Sequence, residues 1–165
     1  LDVIIDSIAL LATILDKSLE RVFVASANSE TRKRVQFVEL KSFEQNWNHL
    51  FKTLETLKPQ AYTRLGTAIR HLTKLLAKEE PIKKAILIFT DGKPTDLDPY
   101  EGRHGEEDIR TAIHEARTHG IAVIALTLSD LGPKYLENIF GRVKHLEGPE
   151  SFCEEVYDFL RTRKP

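Results

Sequence analysis

Apolar residues Val3, Ile4, Ile8, Leu11, Leu15 and Leu19 follow the three- and four-residue spacing of an amphipathic helix, which predicts a helix over residues 3–19. Arg21 to Ala27 is apolar and β-branched enough for a buried strand, and Arg34 to Leu40 alternates Val35, Phe37 and Val38 with polar residues. The intervening Asn28-Ser29-Glu30 reads as a turn, so the two strands form a hairpin whose charged second member suits a sheet edge. A helix over 43–57 places Phe43, Trp47, Leu50, Phe51, Leu54 and Leu57 on one face and stops before Pro59. A further helix over 65–77 leads to Lys84–Phe89, whose unbroken Ala-Ile-Leu-Ile-Phe predicts an interior strand covered on both faces.

After a long polar loop from Asp91 to Gly105, a helix over 106–118 precedes a second fully apolar strand over 121–128. The remainder reads as a helix near 133–140, a brief strand near 143–146, and a final helix over 149–161 with Phe152, Val156 and Phe159 inward. Strands alternating with helices imply parallel βαβ units. The predicted fold is therefore α/β: a doubly wound, mostly parallel sheet with one antiparallel edge strand. No internal repeat or linker breaks the chain, and its 165 residues suit one domain with one core.

Composition narrows the partners. Lys plus Arg total 24 against 25 for Asp plus Glu, a net charge of −1 that argues against nucleic acid or a membrane surface as a general partner. No apolar run approaches the roughly 20 residues of a membrane helix, and the single cysteine, Cys153, has no internal disulfide partner. A cytoplasmic protein is expected. The chain opens at Leu1, already inside a helical period, as an excerpt of a longer protein would.

In open parallel sheets ligands bind beyond the carboxyl ends of the strands, so the residues directly after the apolar strands carry the chemistry. Thr90-Asp91-Gly92 holds that place: a carboxylate on a rigid strand end, followed by a glycine that lets the backbone turn away. Asp91 either presents its carboxylate to a ligand or caps the turn. Asp96 and Asp98 follow in the same loop, and oxygen-rich clusters suit Mg²⁺, Mn²⁺ or Ca²⁺ better than zinc. Thr63 precedes the helix opened by Leu65, where its hydroxyl can cap the helix or add an oxygen to a cation.

The pairing of Thr63-Arg64-Leu65-Gly66-Thr67 with Ile88-Phe89-Thr90-Asp91-Gly92 resembles the von Willebrand factor A domain. That resemblance implies a metal-ion-dependent adhesion site with Thr63 and Asp91 as ligands. It also implies an Asp-x-Ser-x-Ser element and a first, central strand upstream of Leu1; on this expectation residues 1–165 are a single A-like domain from the C-terminal part of a longer protein. Tyr62 to Gly66, Thr90 to Pro94, Asp96-Leu97-Asp98, Tyr100 to Arg103 and Glu107-Asp108 together are similar to one subgroup. That subgroup comprises nitric oxide reductase activation proteins (NorD) and Rubisco activase adaptors (CbbO). What this implies is a non-enzymatic adaptor of a MoxR-type AAA+ ATPase hexamer, gripping a client that offers an Asp or Glu carboxylate. Asp96, Asp98, Tyr100, Glu101 and Arg103 would then flank the site and contact the partner. A phosphoryl-transfer or receiver-type domain using Asp91 as nucleophile is the enzymatic alternative.

Other patterns are weaker. His114 and His119 are five residues apart instead of the four of a zinc protease helix, so on a helix they diverge by about 140°. No Gly-x-Gly-x-x-Gly or phosphate-loop motif follows a strand, so ATP hydrolysis is expected on another chain. Phe89 stands where the nucleophile of an Asp-x-Asp-Gly phosphatase would be, and no strand-end lysine matches a receiver. Arg32-Lys33-Arg34 and Arg161 to Lys164 are short basic stretches without interleaved aromatics.

Overall fold

The computed structural model describes residues 2–16, 20–58, 62–80, 83–90, 100, 102–127 and 133–161. Along them run α1 (Asp2–Leu15), β1 (Val24–Thr31), β2 (Arg34–Lys41), α2 (Trp47–Leu54), α3 (Leu65–Leu76) and β3 (Lys84–Phe89). Then follow α4 (Arg103–Thr118), β4 (Ile121–Thr127), α5 (Pro133–Phe140), β5 (Val143–His145) and α6 (Pro149–Arg161). The predicted order of helices and strands holds throughout. Among the described residues β3, β4 and β5 form a parallel sheet in that order, while β1 and β2 pair as a separate two-stranded sheet.

The chain divides into two compact units. One takes the described residues within Leu1–Ser26, Phe37–Ala61 and Leu146–Lys164. In it α1 packs on α6 and touches α2, with Leu11, Leu15, Leu50, Leu54, Phe152 and Val156 buried. Here α2 is shorter than its apolar stripe predicts. Asn46 caps it by accepting a hydrogen bond from the His49 N–H at 3.1 Å, so Phe43 stays outside the helix and instead meets Phe23 at 5.4 Å between ring centres. The Thr53 hydroxyl donates to the Leu40 carbonyl at 2.9 Å and ties α2 to the end of β2. Lys41 is buried there, its ammonium donating to the carbonyls of Val22 and Ser42 at 2.9 Å each and lying 5.0 Å from the Trp47 ring centre.

The other unit contains the parallel sheet. Six aligned pairs run from Lys84 beside Ile121 to Phe89 beside Leu126, and the Thr90 N–H extends the ladder to the Leu126 carbonyl at 3.0 Å. Strand β4 lies between β3 and β5 and is buried almost along its whole length. β3 has a neighbour on one side only among the described residues. Accordingly Ile86 and Ile88 are buried while Ala85, Leu87 and Phe89 are partly exposed, so β4 and not β3 matches the pattern of an interior strand. Helices α3 and α4 pack on each other, α3 also on β3 and α4 on β4; α5 packs on α4, β4 and β5. Ile69, Ile109, Ala112, Ile113, Ala116, Leu136 and Phe140 join the strand residues in one core.

The hairpin turn falls at Arg32-Lys33, four residues later than Asn28-Ser29-Glu30 predicts. Asn and Ser favour turns because their side chains can satisfy local backbone groups. Here Ser29 is only 3 % exposed and finds its partners further along the chain: its N–H donates to the Tyr62 carbonyl at 2.9 Å, and its Oγ accepts from the Arg64 N–H at 3.1 Å. Those bonds carry β1 through to Thr31.

Ile109 is fully buried where α4 meets this core. Replacing Ile109 with Ala is expected to destabilise the fold by about 2–5 kcal/mol in urea titration. A loss of well under about 1 kcal/mol would contradict the packing described.

Candidate metal and partner site

A helix that joins one parallel strand to the next must run back along the sheet, so its amino end lies at the carboxyl edge of the strands. Helix α4 makes that return between β3 and β4. Helix α3 packs beside α4 and enters β3 after a short connection, which puts its amino end at the same edge. Thr63, Thr90, Tyr100 and Arg103 therefore converge on the carboxyl edge of the sheet. Asp91, Asp96, Asp98 and Glu101 lie outside the described residues.

Thr63 is half-buried and sits in a single bridge of extended chain directly before α3. Its hydroxyl is not the cap of that helix: α3 has no side-chain cap, and Thr63 Oγ1 donates to the Ala27 carbonyl at 3.4 Å. A bond of that length is weak. The oxygen's lone pairs remain suited to a hard cation, and the β-branched side chain has few rotamers through which to turn them away. The residues on either side of Thr63 are held by Ser29, through the Tyr62 carbonyl and the Arg64 N–H.

Tyr100 lies deeper than a residue on a partner-contacting loop would. It is 1 % exposed, and its hydroxyl donates to Asp108 Oδ2 on α4. Burial, reinforced by that carboxylate, raises its pKa well above 10.0. The other carboxylate oxygen of Asp108 accepts from Arg70 Nη1 at 2.7 Å, and Arg70 Nε donates to Glu115 at 2.8 Å. Burial opposes the Arg70 charge, yet the bonds to Asp108 and Glu115 prevail and hold its pKa above the ordinary value. The Arg64 guanidinium covers the Tyr100 ring at 4.3 Å from the centre. Arg103, by contrast, is exposed at the start of α4, where Gly102 adopts a positive φ of 57°.

Gly66 explains how α3 approaches this cluster. A Cβ at that position would stand 2.1 Å from Asp108 Oδ2 and 3.1 Å from the Asp108 carbonyl. Only glycine allows the first turn of α3 to close on the carboxylate. Arg70 carries no motif in the sequence, and Asp108 entered only within Glu107-Asp108 of the subgroup resemblance, with no role attached; the signal that could have drawn attention to their contact is the glycine opening a helix in Arg64-Leu65-Gly66-Thr67. Among the described residues no group of three His, Cys, Asp or Glu side chains could hold a metal, and no helix is long and apolar enough to cross a membrane.

The sequence matches the von Willebrand factor type A domain over residues 3–159. The chain belongs to that family. Within that family the chain is similar to NorD proteins: it is 40 % identical over 142 residues to Protein NorD of Stutzerimonas stutzeri, covering 86 % of this chain and 23 % of that protein. To Protein NorD of Brucella abortus (strain 2308) it is 37 % identical over 143 residues, with the same 86 % and 23 % coverage. The A domain thus spans about a quarter of the length of these relatives.

Two solved structures share the A-domain fold. The pilus adhesin SpaC from Lactobacillus rhamnosus GG superposes with a TM-score of 0.65 at 14 % identity, over 95 % of this chain and 27 % of that one. BatB from Bacteroides thetaiotaomicron, a conserved hypothetical protein, gives 0.58 at 13 % identity, over 96 % and 89 %.

Because Tyr100 is held in its protonated form by the fold, ionisation above pH 10 favours the unfolded chain, where the phenol loses its proton more readily. Its contribution is complete below that pH and is lost as pH rises further. Phenolate absorbance should therefore show one of the four tyrosines releasing its proton only as structure is lost, and Tyr100→Phe should remove that phase. The same variant should lower stability by about 1–3 kcal/mol at neutral pH, since it leaves Asp108 short of a partner. A Tyr100 phenolate forming near pH 10 with the fold intact would contradict the burial.

Proposed function

We propose that this A domain is a non-enzymatic, divalent-cation-dependent protein-binding module of an activator complex. It works with a MoxR-type AAA+ ATPase, and the client is an enzyme such as nitric oxide reductase or Rubisco. The observation that carries this reading is Thr63, half-buried at the carboxyl edge of the parallel sheet and, among the described residues, bonded through its hydroxyl to Ala27 alone at 3.4 Å, with Asp91 following β3 in the sequence. Membership of the von Willebrand factor type A family and the likeness to Protein NorD support it.

In this reading Thr63 and Asp91 hold Mg²⁺, or Mn²⁺ or Ca²⁺ in its place, together with groups from elsewhere in the full-length protein. A hard cation held largely by neutral hydroxyls keeps residual positive charge and an open coordination position. The Asp or Glu carboxylate of a partner fills that position, so binding requires both the metal and the acid. Asp96, Asp98, Glu101 and the exposed Arg103 select the partner around the rim. Tyr100 acts from beneath, since its side chain is buried.

The test is Asp91→Ala in the full-length protein, assayed for client activation in the presence of the ATPase. Coupling should fall by roughly tenfold or more, the equivalent of about 1.4 kcal/mol or more of lost binding, with the thermal midpoint unchanged. Full coupling by a folded Asp91→Ala protein would remove the cation-site reading.

A further inference from the structure

The polar cluster behind Thr63 is more elaborate than a helix contact requires. Asp108 is engaged on both oxygens, by Arg70 Nη1 at 2.7 Å and by the Tyr100 hydroxyl, while its backbone carbonyl faces Arg70 Nη2 at 3.5 Å. The absence of a side chain at Gly66 lets α3 settle on that carboxylate. The Tyr100 ring, fixed through its hydroxyl, supports the Arg64 guanidinium at 4.3 Å. Arg64 is also gripped from the other side, where its N–H donates to Ser29 Oγ at 3.1 Å. Thr63 is the next residue along the chain, and its own bond to Ala27 is too long to fix its hydroxyl unaided.

We propose that Tyr100, anchored by Asp108, is a positioning residue for the cation site: it holds the Arg64 guanidinium over its ring and so sets the direction of the Thr63 hydroxyl. This inference rests on the cation-site reading of Thr63. Its logic is that of the outer groups that orient metal ligands elsewhere, where losing one such partner commonly weakens metal binding by about 10- to 100-fold. The ring supplies a flat platform for the guanidinium, and the phenol–carboxylate bond stops the ring from turning away.

The test measures Mg²⁺ affinity of the full-length protein by titration calorimetry, alongside thermal midpoints, for Thr63→Ala, Arg64→Gln, Tyr100→Leu and the Arg64→Gln/Tyr100→Leu pair. Removing the Arg64 charge would by itself tighten binding of a nearby cation. Loss of positioning works in the opposite direction, so the sign separates the two. Arg64→Gln is expected to weaken Mg²⁺ binding about tenfold with little change in thermal midpoint. Tyr100→Leu should weaken it similarly, and the pair no further than either change alone, because both act through one path.

Arg64→Gln binding Mg²⁺ as tightly as the parent or tighter, while Thr63→Ala loses it, would overturn the positioning role and leave the cation site standing. Mg²⁺ binding untouched by Thr63→Ala would overturn the cation site and the positioning role with it. Should Tyr100→Leu fail to fold, the sign of the Arg64→Gln effect decides, since Arg64 is only half-buried.

Discussion

The pairing of β3 with β4 is the constraint on which the functional edge depends. Two parallel strands in register from Lys84 beside Ile121 to Phe89 beside Leu126 can be joined only by a chain that crosses back along the sheet. Helix α4 makes that return, and its apolar side, Ile109, Ala112, Ile113 and Ala116, is buried in the process. The energetic reward lies in the core, but the geometric consequence lies at the carboxyl edge. There the end of β3, the start of α4 and, through α3, the Thr63 segment are brought to one edge of the parallel sheet.

A second layer of order is polar. Arg70, Asp108, Tyr100 and Arg64 form a chain from the α3–α4 contact up to the residue beside Thr63. Partly buried charges are worth retaining only when their partners are in place, and here each is matched: one carboxylate oxygen to a guanidinium, the other to a phenol. Gly66 makes this possible by omitting the atom that would collide with Asp108. Packing and polar pairing thus act on the same few residues, the former bringing the elements together and the latter fixing how the edge is presented.

Much of this was legible in the sequence. The order of elements follows from periodicity: Lys84–Phe89 and Ile121–Thr127 are strands because their apolar runs are short and β-branched, and α4 through α6 carry three- and four-residue spacing. The resemblance to the von Willebrand factor type A domain was readable in the Thr63 to Thr67 and Ile88 to Gly92 segments, and the family match over residues 3–159 bears it out. What local pattern could not show were choices settled by distant partners. The turn moved to Arg32-Lys33 because Ser29 pairs with Tyr62 and Arg64, and Phe43 left its helix for Phe23 because Asn46 offers the better cap. Tyr100 read as a loop residue facing a partner, since nothing in its neighbours announces that Asp108, a turn and a half into α4, draws it inside. Likewise, among the described residues β4 is the strand with a neighbour on both sides, a matter of sheet order that two equally apolar segments do not distinguish.

The central claim is that Thr63 and Asp91 share one divalent cation. Anomalous diffraction from crystals of the full-length protein grown with Mn²⁺ tests it most directly. The expected result is a single strong peak bonded to both Thr63 Oγ1 and an Asp91 carboxylate oxygen. A peak elsewhere, or one with either of these oxygens outside its coordination shell, would contradict it.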